Sequence, residues 1–360
     1  MSHRLLILAL AALGGLFLGP PSSAAEAEIR IGMIAVQSGE WSNIGTSAVK
    51  AVRLAHEGLP EALRRRVRII FEDDRLQPAQ SAAAFQKLLA KDHINGLIAW
   101  SSGTAKAVAP LAEAARLPTM AIASDPSVAA GKRFIFNVWV MPEVQSDLLV
   151  REAQRRGYRT LARVVTTHEG ALACRDAFDR AAGGRFEIVL DQDLPPGERD
   201  FRGYLARLAA RRGVDAVLAV LNSGQLGLFA KQLRERGLAQ PLFGFETFED
   251  PAEVSVAQGA MTSAWFATGA DPANEYQDSY RARFGEASMI TASNSFDAFM
   301  LLVSGIDGGR SPEEAAEYLE RLRGYRGASG VFSASGDHRF TLPAVLKVVT
   351  ETGFAKLDVK

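Results

Sequence analysis

The stretch with the clearest chemical potential is Trp100-Ser101-Ser102-Gly103-Thr104, small hydroxyl-bearing residues between an apolar run at 96–99 and a helical pattern at 104–115. In open α/β sheets ligands collect at the carboxyl ends of strands, and the first turn of a helix offers unpaired N–H groups to an anion or carbonyl. Ser102 and Thr104 are therefore candidates to bind a ligand; the same hydroxyls could instead cap their own helix, and one residue can do both. Patterns for other chemistry are missing. The histidines (His3, His56, His93, His168, His338) stand in no metal-ligand spacing, and His168-Glu169 is an isolated pair. There is no GxSxG nucleophile elbow, no GxxxxGK[ST] phosphate loop and no GxGxxG after the first strand-like run. A secreted hydrolase built on Ser102, His168 and an acid is disfavoured because Ser102 lacks the glycine-flanked elbow. The sequence thus calls for no catalysis, no cofactor and no metal.

The elements that must position these residues alternate as in parallel sheets covered by helices. Strand-like runs at 29–35, 67–72, 96–99 and 119–122 are separated by helical patterns at 45–56, 79–91 and 104–115. The cycle restarts with a helix at 142–156, strands at 160–165, 186–190 and 216–220, and helical patterns at 170–182, 201–208 and 225–236, before 242–244 closes the set. Gly237 suits a left-handed helix end. Two such series imply two similar α/β lobes rather than one large sheet. The apolar segment 134–141 between them reads as a crossover strand. A third section, 277–284 and 291–305, is helical but short of strands, so it must pack on an existing lobe. Ser311-Pro312-Glu313-Glu314 is a well-formed helix start.

Composition supports this class. The chain has 360 residues, 41 Lys+Arg against 41 Asp+Glu, 48% hydrophobic residues, 23% charged residues and one cysteine. That is enough for two cores, and it excludes a disulfide-stapled miniprotein and a disordered chain. Balanced, interspersed charge gives no footprint for nucleic acid and no polybasic membrane surface. Arg4 followed by an uncharged run at 5–18 and Ser23-Ala24-Ala25 reads as a secretory signal peptide cleaved near Ala25. Gly14, Gly15, Gly19, Pro20 and Pro21 cut the run short of a membrane anchor, and no cysteine near the cleavage site offers a lipid attachment point. The lone Cys174 cannot form an internal disulfide, and Ala171, Leu172 and Ala173 beside it favour a buried thiol.

Four stretches together resemble the leucine/isoleucine/valine-binding family of type I periplasmic binding proteins, the solute receptors of ABC importers. They are Ile31-Gly32 with Ser38-Gly39 and Gly45; Glu72-Asp73-Asp74 with Pro78-Ala79; Ser101-Ser102-Gly103-Thr104 with Pro110 and Leu117-Pro118; and Gln232-Leu233-Arg234 with Gly237-Leu238 and Gly244-Phe245-Glu246. The resemblance implies two Rossmann-like lobes joined by a three-segment hinge: 26–140 with 269–328 as lobe one, and 141–268 with 329–360 as lobe two. It implies a monomer in the periplasm that traps a small polar solute, an amino acid or an amide-like compound, and delivers it to an ABC transporter membrane permease. A sensor of the same fold reporting to a membrane regulator is the alternative.

Carried over residue by residue, Ser102 and Ala123 match positions that hold an α-carboxylate, Ser101 and Thr104 stand beside them as ligand-binding candidates of the same loop, and Glu246 matches the carboxylate that holds an α-ammonium. Ile44 falls at an aromatic position, with Trp41 near enough to act as an apolar lid; His168 and Asn222 fall near two tyrosines. The departure is Asp125, where the family has a carboxylate-binding threonine. An ionised Asp125 at about 4 Å from a bound carboxylate, at an effective dielectric near 20, would cost on the order of 4 kcal/mol. Either Asp125 turns outward and caps a helix beginning at Pro126, or the ligand is not held as an amino acid.

Overall fold

The computed structural model describes residues 27–39 and 41–357, so the expected leader at 1–25 lies outside the described residues. The first sheet is parallel throughout. Its strands β1 (Ile29–Ile34), β2 (Val67–Glu72), β3 (Gly96–Trp100), β4 (Thr119–Ile122) and β5 (Ile135–Asn137) run in the order β2-β1-β3-β4-β5. All five residues of β3 are buried, the mark of a strand with helices on both faces. The order reverses direction between β1 and β3, so the loops leaving these two strands splay apart and open a crevice at the carboxyl edge.

The second sheet has seven strands. In chain order β6 (Thr160–Thr166), β7 (Glu187–Leu194), β8 (Ala216–Val220), β9 (Leu242–Gly244) and β10 (Trp265–Gly269) are parallel. After a separate hairpin, β11 (Tyr325–Gly327) and β12 (Gly330–Phe332), the chain adds β13 (Ala344–Thr350) antiparallel to β10 and β14 (Gly353–Lys356) antiparallel to β13. The order is β14-β13-β10-β9-β8-β6-β7.

The two lobes expected from the βα alternation are thus present as two α/β units, with five strands, β10 to β14, that the sequence pattern does not show. β10 follows a run of turns, and β13 carries Lys347 in an otherwise apolar run. That lysine is buried because it pairs with Glu249 and, at 2.5 Å, with Asp271. The segment at 134–141, expected as a crossover strand, begins as the edge strand β5 and then runs on to the helix Pro142–Arg155.

The strand-poor third section packs on the first sheet. Helix Ala292–Ile306 lies against helix Ser42–Glu57 and against β1, β3 and β4, and Phe299, Leu302 and Val303 share one core cluster with Ile31, Ile98 and Phe136. Helix Pro312–Glu320 carries the expected capping box, with Ser311 and Glu314 bonding each other's backbone N–H. Farther on, Phe332, Phe340 and Leu342 still pack in that first cluster, and Phe340 N donates to Asn137 O at 3.0 Å along the edge of β5. The chain therefore passes between the sheets three times: after β5, after β10 and before β13.

Asp297 fixes the return of the third section. From helix Ala292–Ile306 its fully buried carboxylate accepts Ala328 N–H at 2.7 Å and Ser329 N–H at 2.8 Å. Any Cβ at residue 327 would collide with that carboxylate, which explains Gly327. Burial pushes the Asp297 carboxyl up to about 6, against the two N–H bonds that favour the anion. Since the folded chain holds this proton more tightly than the unfolded one, the contribution of Asp297 to stability is largest below about pH 4 and falls as pH rises toward 6. Asp297→Asn should accordingly lower the melting temperature more at about pH 4.5 than at about pH 7. Scanning calorimetry of both proteins at the two pH values checks this; an equal loss contradicts it.

Candidate ligand-binding site

A cavity of about 100 Å3 lies between the two sheets. One wall comes from the carboxyl ends of β3 and β4, through Trp100, Ser101, Ser102 and Ser124; the other from the ends of β8 and β9, through Leu221, Asn222, Phe245 and Glu246. Helices Ser42–Glu57 and Glu169–Ala182 contribute Ile44 from the first lobe and Cys174 from the second. Of the residues expected here, Trp41, Ile44, Ser101, Ser102, His168, Asn222 and Glu246 line the cavity, whereas Thr104, Ala123 and Asp125 do not.

The first wall is shaped by backbone geometry and by a pair of acids. Ser101 sits at φ +85°, a conformation that only a tightly held loop imposes on a residue with a side chain. It caps helix Ser102–Ala114, its Oγ accepting Thr104 N–H at 3.2 Å and donating to Thr104 Oγ1 at 3.0 Å. Thr104 in turn donates its hydroxyl at 2.5 Å to Asp74, which is fully buried and also accepts from Ser81 Oγ at 2.6 Å. Thr104 is therefore a tie between helix Ser102–Ala114 and the start of helix Pro78–Ala90, and the expectation that it meets a ligand is corrected. The neighbouring Asp73 secures the loop after β1, accepting Gln37 N–H at 3.0 Å and Ser38 Oγ–H at 2.6 Å. Ser102 differs from both of its neighbours. Its Oγ accepts N–H bonds from Ser124 at 3.0 Å and Asp125 at 3.2 Å, which leaves its own proton to donate.

Two further expectations at this end are corrected. The backbone groups of Ala123 are both taken by the buried Asn137 side chain, N–H to Oδ1 at 3.3 Å and C=O from Nδ2 at 2.8 Å. Asp125 is turned away from the cavity. It accepts Ser127 N–H at 2.8 Å as the cap of the short helix Pro126–Val128 and pairs with Lys106 Nζ at 3.3 Å, the outward capping geometry weighed as one alternative from the sequence.

The second wall presents Glu246. Gly244, the last residue of β9, lets that strand lie so close to β8 that a Cβ would collide with the Ala219 carbonyl, and Glu246 follows two residues later at the start of a short helix, Glu246–Glu249. Both carboxylate oxygens accept: Oε1 from Ser124 Oγ at 3.2 Å, across the cleft, and Oε2 from Gln145 Nε2 at 2.8 Å. Burial raises the Glu246 carboxyl above its ordinary value in spite of these donors. At the other end of the same turn, Glu249 is held by Lys347 and by Thr268 Oγ1 at 2.7 Å.

His168 caps helix Glu169–Ala182, its Nδ1 accepting Gly170 N–H at 3.3 Å, and burial lowers its pKa so that the ring is neutral at pH 7. It meets Trp41 across the cleft at 5.7 Å between ring centroids, and Trp41 meets Trp100 edge-on at 6.3 Å. Ser102 and His168 share no hydrogen bond among the described residues. The Asn222 side-chain amide likewise makes no hydrogen bond among the described residues and is available at the cavity wall.

Sequence reading missed Ser124 and Gln145, which hold Glu246, and Trp139, Ile290 and Thr291, which complete the cavity from the first passage between the sheets and from the third section. Ser124 lies two residues after the end of β4 and could have been found by the same strand-end rule that finds Ser102; the others carry no local signal.

The sequence profile of the family described as "Periplasmic binding protein" matches residues 28–353. No curated protein matches in sequence. Among solved structures, a leucine binding protein LivK from Thermotoga maritima superposes with a TM-score of 0.86 at 20% identity, covering 92% of this chain and 98% of that one. The branched-chain amino acid transporter substrate binding protein LivJ from Streptococcus pneumoniae, in complex with isoleucine, gives 0.82 at 19% identity, covering 92% and 100%. A solute binding protein of an ABC transporter from R. palustris, in complex with benzoate, gives 0.83 at 18% identity, covering 92% and 96%. At these identities the structures establish the fold, and the profile over 28–353 establishes the family: the chain belongs to the periplasmic binding proteins, which are solute-binding proteins and not enzymes.

Proposed function

We propose that this chain is the solute-binding component of an ABC importer, capturing a small polar solute, an amino acid or an amide-like compound, between two lobes and presenting the closed form to a membrane permease. The observation that carries this reading is the pair of contacts spanning the cleft, Ser124 to Glu246 and Trp41 to His168, with a cavity beside them. Such contacts exist only when the lobes are together, so a solute that bonds both walls raises the population of the closed state by its differential affinity for it. The named relatives support the role: each was solved as a binding protein, two of them with isoleucine or benzoate bound. The sequence expectation sets the lobes at 26–140 with 269–328 and at 141–268 with 329–360; the packing of Phe332, Ala334, Phe340 and Leu342 in the first core supports a third passage near 343 instead of 328. On this reading the protein works as a monomer in the periplasm after loss of 1–25.

Ser102 donates to the solute from one wall and Glu246 accepts from the other, while Trp41, Ile44 and Asn222 shape the space between. A screen of amino acids, amides and short polar metabolites by thermal shift and calorimetry should find a stoichiometric solute that is recovered chemically unchanged; turnover contradicts transport. Glu246→Ala should weaken that solute by about tenfold or more, because it strands a buried cationic group, and unchanged affinity would remove Glu246 from the site. Asp125→Thr should leave affinity and preference within about twofold, since Asp125 faces Lys106; a switch in preference, measured by the same calorimetry, would place it in the cleft.

A further inference from the structure

We propose that the cavity takes a small amine whose second polar group is a neutral acceptor, such as an amino-acid amide or an amino alcohol, in place of the α-carboxylate of an amino acid. The inference rests on the solute-receptor reading above and narrows its ligand class. It follows from which polar groups around the cavity are already committed. At the end expected to hold a carboxylate, Ser101 is bonded to Thr104, Thr104 to Asp74, both backbone groups of Ala123 to Asn137, and Asp125 to Ser127 N–H and Lys106. The Ser102 hydroxyl alone among them keeps a proton to give.

Charge points the same way. No lysine or arginine among the described residues lines the cavity. The start of helix Ser102–Ala114, where an anion would find N–H groups, already faces an acid from the opposite lobe: a Cβ on Gly103 would stand 3.3 Å from Glu169 Oε2. Opposite, Glu246 has both oxygens held by donors, and among the described residues no cationic side chain bonds it. A bound carboxylate would add a second negative charge to this space, served by one hydroxyl from the first wall. An ammonium would supply the missing positive charge, with Trp41, Trp100 and Trp139 among the walls to favour it over an anion. The volume sets the scale: about 100 Å3 is smaller than the roughly 150 Å3 apolar cavity that holds benzene, which suits a body of a few heavy atoms.

The test is isothermal calorimetry at neutral pH of the mature chain with two matched pairs, alanine and alaninamide, leucine and leucinamide, and with benzoate. The amide of at least one pair should bind about tenfold or more tighter than its acid, and benzoate should be weaker than that amide. Glu246→Gln, which keeps the shape and removes the charge, should abolish the preference while the protein stays folded, as its circular dichroism spectrum checks. An amino acid that binds as tightly as its amide, a benzoate that binds tighter, or a preference that survives Glu246→Gln overturns the charge class while leaving the receptor function standing. Failure of every probe also overturns it. The receptor function itself falls only if, in addition, no solute of any class shifts the melting temperature and none is released on denaturation.

Discussion

A single half-buried carboxylate, Glu246, governs the arrangement around the cleft. An anion withdrawn from water costs several kcal/mol unless partners replace its hydration, and the fold supplies them from separate places: Ser124 from the end of β4 and Gln145 from the helix just after the first passage between the sheets. Three residues on, Glu249 is held by Lys347 from β13, which also holds Asp271 just after β10. The short helix Glu246–Glu249 is thereby tied to residues adjoining all three passages between the sheets. A movement of one lobe against the other must strain or break some of these bonds, so the position of Glu246 and the state of closure are coupled through named contacts.

The remaining charge balance explains how the cleft could act as a switch. Ser124 and Gln145 satisfy Glu246 with neutral hydrogen bonds but leave it without a counter-charge. Closure on an empty cavity therefore leaves a desolvated anion facing a largely apolar space, and closure on a cationic group does not. The difference between these two closed states is the differential free energy that a solute contributes to the equilibrium. The aromatic contact of Trp41 with His168 adds to closure without regard to charge, since burial keeps His168 neutral.

Much of the fold was legible because parallel strands covered on both faces are short continuous apolar runs, and because helices announce their ends. Gly96–Trp100 and the Ser311 capping box are readable without a structure. Of the strands that escaped notice, β13 did so for a local reason: it contains a lysine whose burial depends on acids 76 and 98 residues away. The site was half legible by the same logic. Ser102 and Glu246 follow strand ends and do face the cavity. Thr104, Ala123 and Asp125 follow strand ends too, yet their fates are decided by Asp74, Asn137 and Lys106, none of which advertises its direction. The acid pair Asp73 and Asp74 was visible only as part of a family likeness; the structure shows it holding the loops that frame the cleft.

The most direct measurement is a crystal structure of the protein with the solute that copurifies with it. The account predicts solute density between Ser102 and Glu246, with a nitrogen about 3 Å from a Glu246 oxygen and a neutral acceptor at the Ser102 hydroxyl. Density for a carboxylate at Ser102, or a solute seated outside the cavity with Glu246 untouched, would contradict it.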